Sequence, residues 1–200
     1  MFRVVATTSD ARNGDGRWMR AIAVLIVMGA TLGVSLDVMH VKTGTTAYAN
    51  PVVFGIALWV FPLFAFASVL FGLTRPIAER LLGWRTPPPS FGVACAGLAF
   101  FVAAYLSSGV LPLGAAEKSV VLAAIAIACW ALFDRTLLGA LLGASAAITG
   151  TGFEATIIHF DFFHYVNPDF AGVAVWLPLL YVPVGVGVGN FGKYLVDSPR

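Results

Sequence analysis

Charge is what this sequence has least of. Asp, Glu, Lys and Arg supply only 11% of its 200 residues, against about 25% in ordinary soluble domains. That is too little polar surface to cover a globule in water. With 59% hydrophobic residues and a mean hydropathy of +0.88, the chain reads as an integral membrane protein. Cysteine is scarce as well: Cys95 and Cys129 each stand in an apolar stretch, where a thiol packs as a small hydrophobe rather than pairing, so neither fixes the redox compartment. No nucleophile–base constellation, phosphate-cradling loop or basic patch for nucleic acid stands out. Histidines number three. His159 and His164 crowd one loop with Asp161, close to Glu154, but the spacing matches no metal-ligand pattern. The neighbouring Phe160, Phe162, Phe163 and Tyr165 suit an interfacial aromatic belt instead. Neither a metal nor a cofactor is expected.

What the chain has in abundance is apolar runs. Six of them, at roughly 20–38, 51–73, 91–112, 119–133, 136–158 and 172–192, approach the length of about 20 residues that crosses a bilayer. The expected fold is all-α: one domain over residues 1–200, a bundle of six transmembrane helices. Arg75 to Pro89, with its arginines and Pro87-Pro88-Pro89, reads as a loop outside the hydrocarbon. The fourth and fifth runs nearly touch, which predicts a tight antiparallel hairpin. Arg3, Arg12, Arg17, Arg20, Arg75, Arg80, Arg85, Arg135, Lys193 and Arg200 would then share one side, with only Lys42 and Lys118 opposite. By the positive-inside rule both termini face the cytosol. A cleavable secretory signal ending near Ala47-Tyr48-Ala49 fits less well, because Asp37 to Thr46 is long and polar.

Gly187-Val-Gly189-Asn-Phe-Gly192 matches the G-x-G-x-x-G dinucleotide fingerprint by letters. That motif needs a preceding strand, a following helix and an acidic residue about 20 positions on. Pro178 and Pro183 interrupt any strand, and no alternation of strands and helices precedes them. Inside a membrane helix, Gly185, Gly189 and Gly192 have a simpler use, the close approach of another helix; Gly139/Gly143 and Gly29/Gly33 repeat the spacing. The approach can be internal to the bundle or between copies in a homo-oligomer. Asn190 is the one polar side chain among these glycines.

At the hairpin turn stand Trp130, Phe133, Asp134 and Arg135. Asp134 is placed to cap the next helix, Arg135 to reach cytosolic headgroups, and the turn to hold a partner at that surface. Polar residues within the spans are few. Glu154 is therefore a functional candidate by default, and Ser107, Ser108, Thr149 and Thr151 could line the same outer half of the bundle. They would make a small polar patch in an apolar cavity, the anatomy of a site for an amphiphile, and Trp130 is grouped with them as ligand-facing.

In order, these signatures resemble the Insig (insulin-induced gene) family. Its Trp-x-x-Phe-Asp-Arg turn is matched by Trp130, Phe133, Asp134 and Arg135, and its Tyr-x-x-Pro-Asp-Phe segment by Tyr165, Pro168, Asp169 and Phe170. Trp176-Leu177-Pro178 follows, and then Gly185, Val186, Val188, Gly189, Asn190, Gly192 and Lys193 in the family's spacing. The likeness covers roughly the last 85 residues; the first half matches only in span count and orientation. It implies a six-helix protein with cytosolic termini and an internal lipid cavity, a regulator and not an enzyme. Eukaryotic members bind oxysterols and retain sterol-sensing-domain partners in the endoplasmic reticulum, where the Asp matched by Asp134 serves partner binding. Here Ala131 stands where many eukaryotic members carry a second tryptophan, and the Ala/Val/Gly/Arg-rich composition suggests a bacterial homologue in an inner membrane. There the familiar partners would be absent and only lipid binding would carry over.

An acidic Glu154 with no intramembrane Lys or Arg close in sequence disfavours a phosphate headgroup. The expected ligand is a neutral, hydroxyl-bearing lipid, a sterol or a diacylglycerol-like molecule. Two other classes stay open. One is a small proton-coupled transporter using Glu154, against which stands the lack of an evident inverted repeat or matched broken helices. The other is an intramembrane hydrolase using His159, Asp161 and His164.

Overall fold

A computed structural model describes residues 8–198; Arg3 and Arg200, counted in the charge bias, lie outside them. Helix α1 (Thr8–Met28) runs through a π-helical stretch, Gly29–Gly33, into α2 (Val34–Lys42). After strand β1 (Thr46–Tyr48) come α3 (Val60–Leu82), α4 (Phe91–Val110), α5 (Ala115–Phe133) and α6 (Leu137–His159). Strand β2 (Phe163–Tyr165) leads into α7 (Leu177–Pro183), a second π-helical stretch (Val184–Val188) and α8 (Gly189–Asp197). Taken with their continuations, six helices are long and apolar enough to cross a membrane.

The boundaries depart from the hydropathy reading in physically instructive places. The second crossing starts at Val60 rather than near 51, and the sixth at Leu177 rather than near 172. The skipped residues form apolar loops, each with a short bridge, Val53 with Ile56 and Phe170 with Val173. At the other end, α3 continues to Leu82 and carries Arg75 and Glu79. The expected loop from Arg75 therefore begins only at Gly83, whose left-handed backbone (φ 68°) ends the helix.

The last crossing is the centre of the bundle. In it, 61% of the apolar window is buried, against 17% to 33% in the other five. A helix surrounded by helices must present small residues to several of them, and its glycines do so. A Cβ on Gly185 would lie 2.6 Å from the Leu142 carbonyl oxygen of α6, and one on Gly187 2.9 Å from the Gly97 carbonyl carbon of α4. One on Gly192 would collide with the Gly72 backbone of α3. Gly189 is looser, its nearest neighbour being Arg75 Cβ at 3.5 Å. Around this axis Leu25, Leu36, Phe101, Val184 and Val188 form one apolar core, and Ala104, Leu122, Trp176, Leu177 and Leu180 another.

The fold also contains an internal repeat. At one constant offset, Asp37 corresponds to Glu154, Tyr48 to Tyr165, Asn50-Pro51 to Asn167-Pro168, Gly55 to Gly172 and Trp59 to Trp176. Phe54 and Ala171 share a positive φ (52° and 46°), as do the glycines that follow them (87° and 80°). β1 and β2 pair antiparallel, Thr46 with Tyr165 and Tyr48 with Phe163, so exchanging the repeats maps the ladder onto itself. Flanking bonds obey the same exchange: Ala49 N donates to Phe162 O, and Val166 N to Thr45 O. Crossings one and five thus run in the same direction, as do two and six. The repeat is parallel, about an axis through the ladder, which is why a search for an inverted one does not find it.

Candidate lipid cavity

Between α2, α3, α4, α6 and α7 lies a cavity of about 340 Å³, closed at the far side from the termini by the β1–β2 ladder. Its middle is apolar, with Leu32, Phe64, Phe71, Phe101, Val184 and Val188. Its ladder end is polar, with Asp37, His40, Thr46, Tyr48, Glu154 and Tyr165. That is the usual composition of a small-molecule pocket, a greasy barrel with a few convergent polar groups. Phe66, Leu70 and Phe153 also line it while standing 46% to 65% exposed on the outside of the bundle. Since α3 and α6 touch only sparsely, the cavity opens sideways toward the region the lipid tails would occupy.

The two repeats each contribute an acid–tyrosine pair. Tyr48 Oη donates to Asp37 Oδ2 at 2.7 Å, and Tyr165 Oη to Glu154 Oε2 at 2.7 Å. Glu154 takes a second bond from Tyr181 Oη, at 2.6 Å to Oε1. Burial, and then the adjacent carboxylates, push the Tyr48 and Tyr165 phenols above their ordinary range, which keeps both as donors. His40 is buried against Tyr105 (ring centroids 4.3 Å apart) with Nε2 2.9 Å from Ser108 Oγ. Because the Ser108 hydroxyl spends its proton on the Tyr105 carbonyl (2.8 Å), His40 donates through Nε2.

The expected ligand residues divide. Thr149 and Glu154 line the cavity. Ser108 does not, being fully buried in its bonds to His40 and Tyr105; Ser107 and Thr151 are also absent from its wall, and the Thr151 hydroxyl is buried without a partner. Trp130 faces a separate apolar crevice of about 300 Å³ with Ala126, Ile127, Ala140 and Ala144. Helical phase explains the division, since the expected patch rests on a shared height in the bundle and not on a shared face. Asp37 and His40 were passed over because the polar stretch from Asp37 looked like the loop after the first crossing. The repeat is the signal that points to Asp37, which stands for Glu154; His40 corresponds to Ile157 and is not marked by it.

At the hairpin turn, Thr136 and not Asp134 caps α6, accepting from Gly139 N at 3.0 Å. Asp134 bonds the Thr136 hydroxyl and backbone N–H, and pairs with Arg75 of α3. Arg75 also pairs with Glu79 (3.2 Å), Glu79 with Lys193, and Lys193 with the Thr86 carbonyl (2.8 Å). Every member is buried and the two positive charges balance two negative ones. Phe133 offers its carbonyl to Asn190 Nδ2 (3.1 Å) and its ring to Phe100. Trp130 Nε1 donates to the Thr136 carbonyl at 2.9 Å, and Arg135 sits exposed in left-handed backbone, φ 58°. Trp130, Phe133 and Asp134 of the Trp-x-x-Phe-Asp-Arg turn thus each have a structural task. His159, Asp161 and His164 are exposed, and no cluster of three metal-binding side chains occurs among the described residues.

No family model matches the chain. Curated proteins do. Insulin-induced gene 1 protein of Gallus gallus is 30% identical over 180 residues, 86% of this chain and 70% of the relative. Insulin-induced gene 2 protein of the same species is 29% identical, covering 86% and 79%. Among solved structures, a cross-linked trimer of MvINS superposes with a TM-score of 0.78 at 25% identity, covering 90% of this chain and 96% of that one. MvINS from Mycobacterium vanbaalenii, described as a mycobacterial Insig homologue, gives the same score at 24% identity.

Proposed function

The chain belongs to the Insig family of multi-pass membrane proteins, and we propose that it works without catalysis, by holding one neutral amphiphile in the cavity between its repeats. The observation that carries this reading is the cavity's chemistry. Two carboxylates and several hydroxyls gather at one end, no Lys or Arg among the described residues lines the wall, and the remainder is apolar and open to the side. A phosphate headgroup brought to Asp37 and Glu154 would carry its charge to a wall whose described residues include no Lys or Arg to offset it, at low dielectric. A hydroxyl meets acceptors. A sterol or diacylglycerol-like lipid, head at the ladder and tail between α3 and α6, fits that polarity.

The test is mass spectrometry of lipid extracted from the purified protein. The expected result is a stoichiometric neutral, hydroxyl-bearing lipid; recovery of phosphatidylglycerol or cardiolipin alone would overturn the charge argument. Because MvINS has been crystallised as a cross-linked trimer, homo-oligomerisation is part of the proposal, to be read from native mass spectrometry. Protein partners at the Asp134 turn are not proposed, since Arg75 and Thr136 occupy that carboxylate.

A proton-coupled transporter remains as a second reading on one observation: carboxylates in equivalent positions of a parallel repeat, with a cavity between them. It requires proton-coupled flux in liposomes that Glu154→Gln abolishes; no flux with the wild type removes it.

A further inference from the structure

The two halves of the cavity's polar end are not equally satisfied. Glu154 has a tyrosine on each oxygen, Tyr165 and Tyr181. Asp37 has only Tyr48, on Oδ2; its Oδ1 accepts nothing from the described residues. The repeat supplies the reason. Tyr181 corresponds to Phe64, at the same offset that relates Glu154 to Asp37. Both rings pack against a glycine one turn before the acid. A Cβ on Gly150 would lie 2.5 Å from Tyr181 Cδ1, and one on Gly33 2.6 Å from Phe64 Cδ1. Each half thus sets an aromatic ring against this glycine, and only the ring of the second half carries a hydroxyl. On the wall of the same cavity, Thr46 is 3% exposed and its hydroxyl has no partner among the described residues, an arrangement that buried polar groups avoid unless something else completes it. Asp37, Thr46, Phe64 and Gly33 all line the cavity.

Resting on the reading of the cavity as a lipid site, we propose that Asp37 and Thr46 form the headgroup subsite, and that the ligand's hydroxyl takes the place left by the oxygen that Phe64 lacks. The alcohol donates to Asp37 Oδ1 and accepts from Thr46 Oγ1. One group that both donates and accepts satisfies both orphans, whereas an ester or ether oxygen can serve only Thr46, and leaves Oδ1 bare. Glu154, which already has a tyrosine on each oxygen, is assigned the structural role in the pair. Selection is therefore for a free hydroxyl.

Radiolabelled 1,2-dioctanoylglycerol and its 3-O-acetyl derivative are suitable probes, bound to the full-length protein in phosphatidylcholine nanodiscs. Wild type is expected to prefer the free alcohol by about tenfold, the worth of one good hydrogen bond. Asp37→Asn, whose amide places a donor where Oδ1 accepted, is expected to reduce that preference to less than about twofold. Phe64→Tyr is the sharper variant. Tyr181 stands at the equivalent position of the other repeat, and a hydroxyl on residue 64 is expected to satisfy Asp37 without ligand. It is expected to weaken the alcohol about tenfold and leave the acetate unchanged. A preference that survives in both variants overturns the subsite while leaving the cavity reading intact. Failure of wild type to bind either probe overturns the cavity reading, and the subsite with it.

Discussion

Two polar clusters sit at opposite ends of this bundle, and they solve the problem of charge in an apolar setting differently. Toward the termini, Arg75, Glu79, Asp134 and Lys193 balance one another and draw Thr86 and Thr136 into the same network. Toward the ladder, Asp37 and Glu154 have no cation beside them, rely on tyrosine hydroxyls and border an open cavity. The first is buried and charge-paired, tying α3, the α5–α6 turn and α8 together. The second is left incomplete at one position. A closed network holds helices; an open one is suited to receiving something. Polarity inside a membrane protein therefore marks function only where its valences are unfilled.

The largest effect should come from breaking the closed cluster. Asp134→Leu leaves Arg75 buried with half its partners, and a loss of about 3–5 kcal/mol is expected, read as a steep fall in melting temperature in detergent. Adding Arg75→Met should recover much of that loss, since an apolar pair of similar volume removes the uncompensated charge. Failure to recover would mean that Arg75 stabilises the fold by more than pairing with Asp134.

Glycine substitutions on the central helix come next. Gly187→Val forces a side chain toward the Gly97 carbonyl of α4 and should cost about 1–3 kcal/mol or more. Gly152→Ala is the control. Nothing lies within 4 Å of its Cβ position, so the change should be neutral or stabilise by up to about 1 kcal/mol. Equal damage from both would show that helix propensity, and not close approach, sets the demand for glycine.

At the open cluster the comparison can be reversed residue by residue. Glu154→Gln should lower stability by about 1 kcal/mol, because the amide keeps one acceptor and turns a donor toward the other tyrosine, yet leave the preference for a free alcohol intact. Asp37→Asn should do the opposite. The smallest effect is expected for Trp130→Phe, which loses one indole bond to the Thr136 carbonyl, about 0.5–1.5 kcal/mol, with no change in retained lipid because Trp130 faces another crevice.

Much of the fold was legible in hydropathy, and the failures have a common cause. Val52, Phe54 and Leu58 are apolar but lie in the loop before α3, where apolar side chains read as membrane span. Arg75 and Glu79 are charged but sit inside α3 in a neutralised cluster, where charge reads as loop. Hydropathy sums residues one at a time and cannot see pairing. The same blindness hid Asp37, whose meaning depends on Tyr48 and on its counterpart Glu154. Glu154 was visible because its sequence surroundings are apolar on both sides. Ser107, Ser108 and Thr151 were grouped with it by height in the bilayer alone, and helix phase turns them away from the cavity wall.

The sideways opening between α3 and α6 has a consequence for what an occupant reports. A ligand that enters past Phe66, Leu70 and Phe153 never crosses water, so its occupancy is governed by its mole fraction in the surrounding leaflet and not by an aqueous concentration. Dilution of the cell contents would leave such a protein unmoved, while a change of a few per cent in bilayer composition would register directly. Affinity for a site of this kind is a partition coefficient between two oils, and its natural unit is mole per cent of membrane.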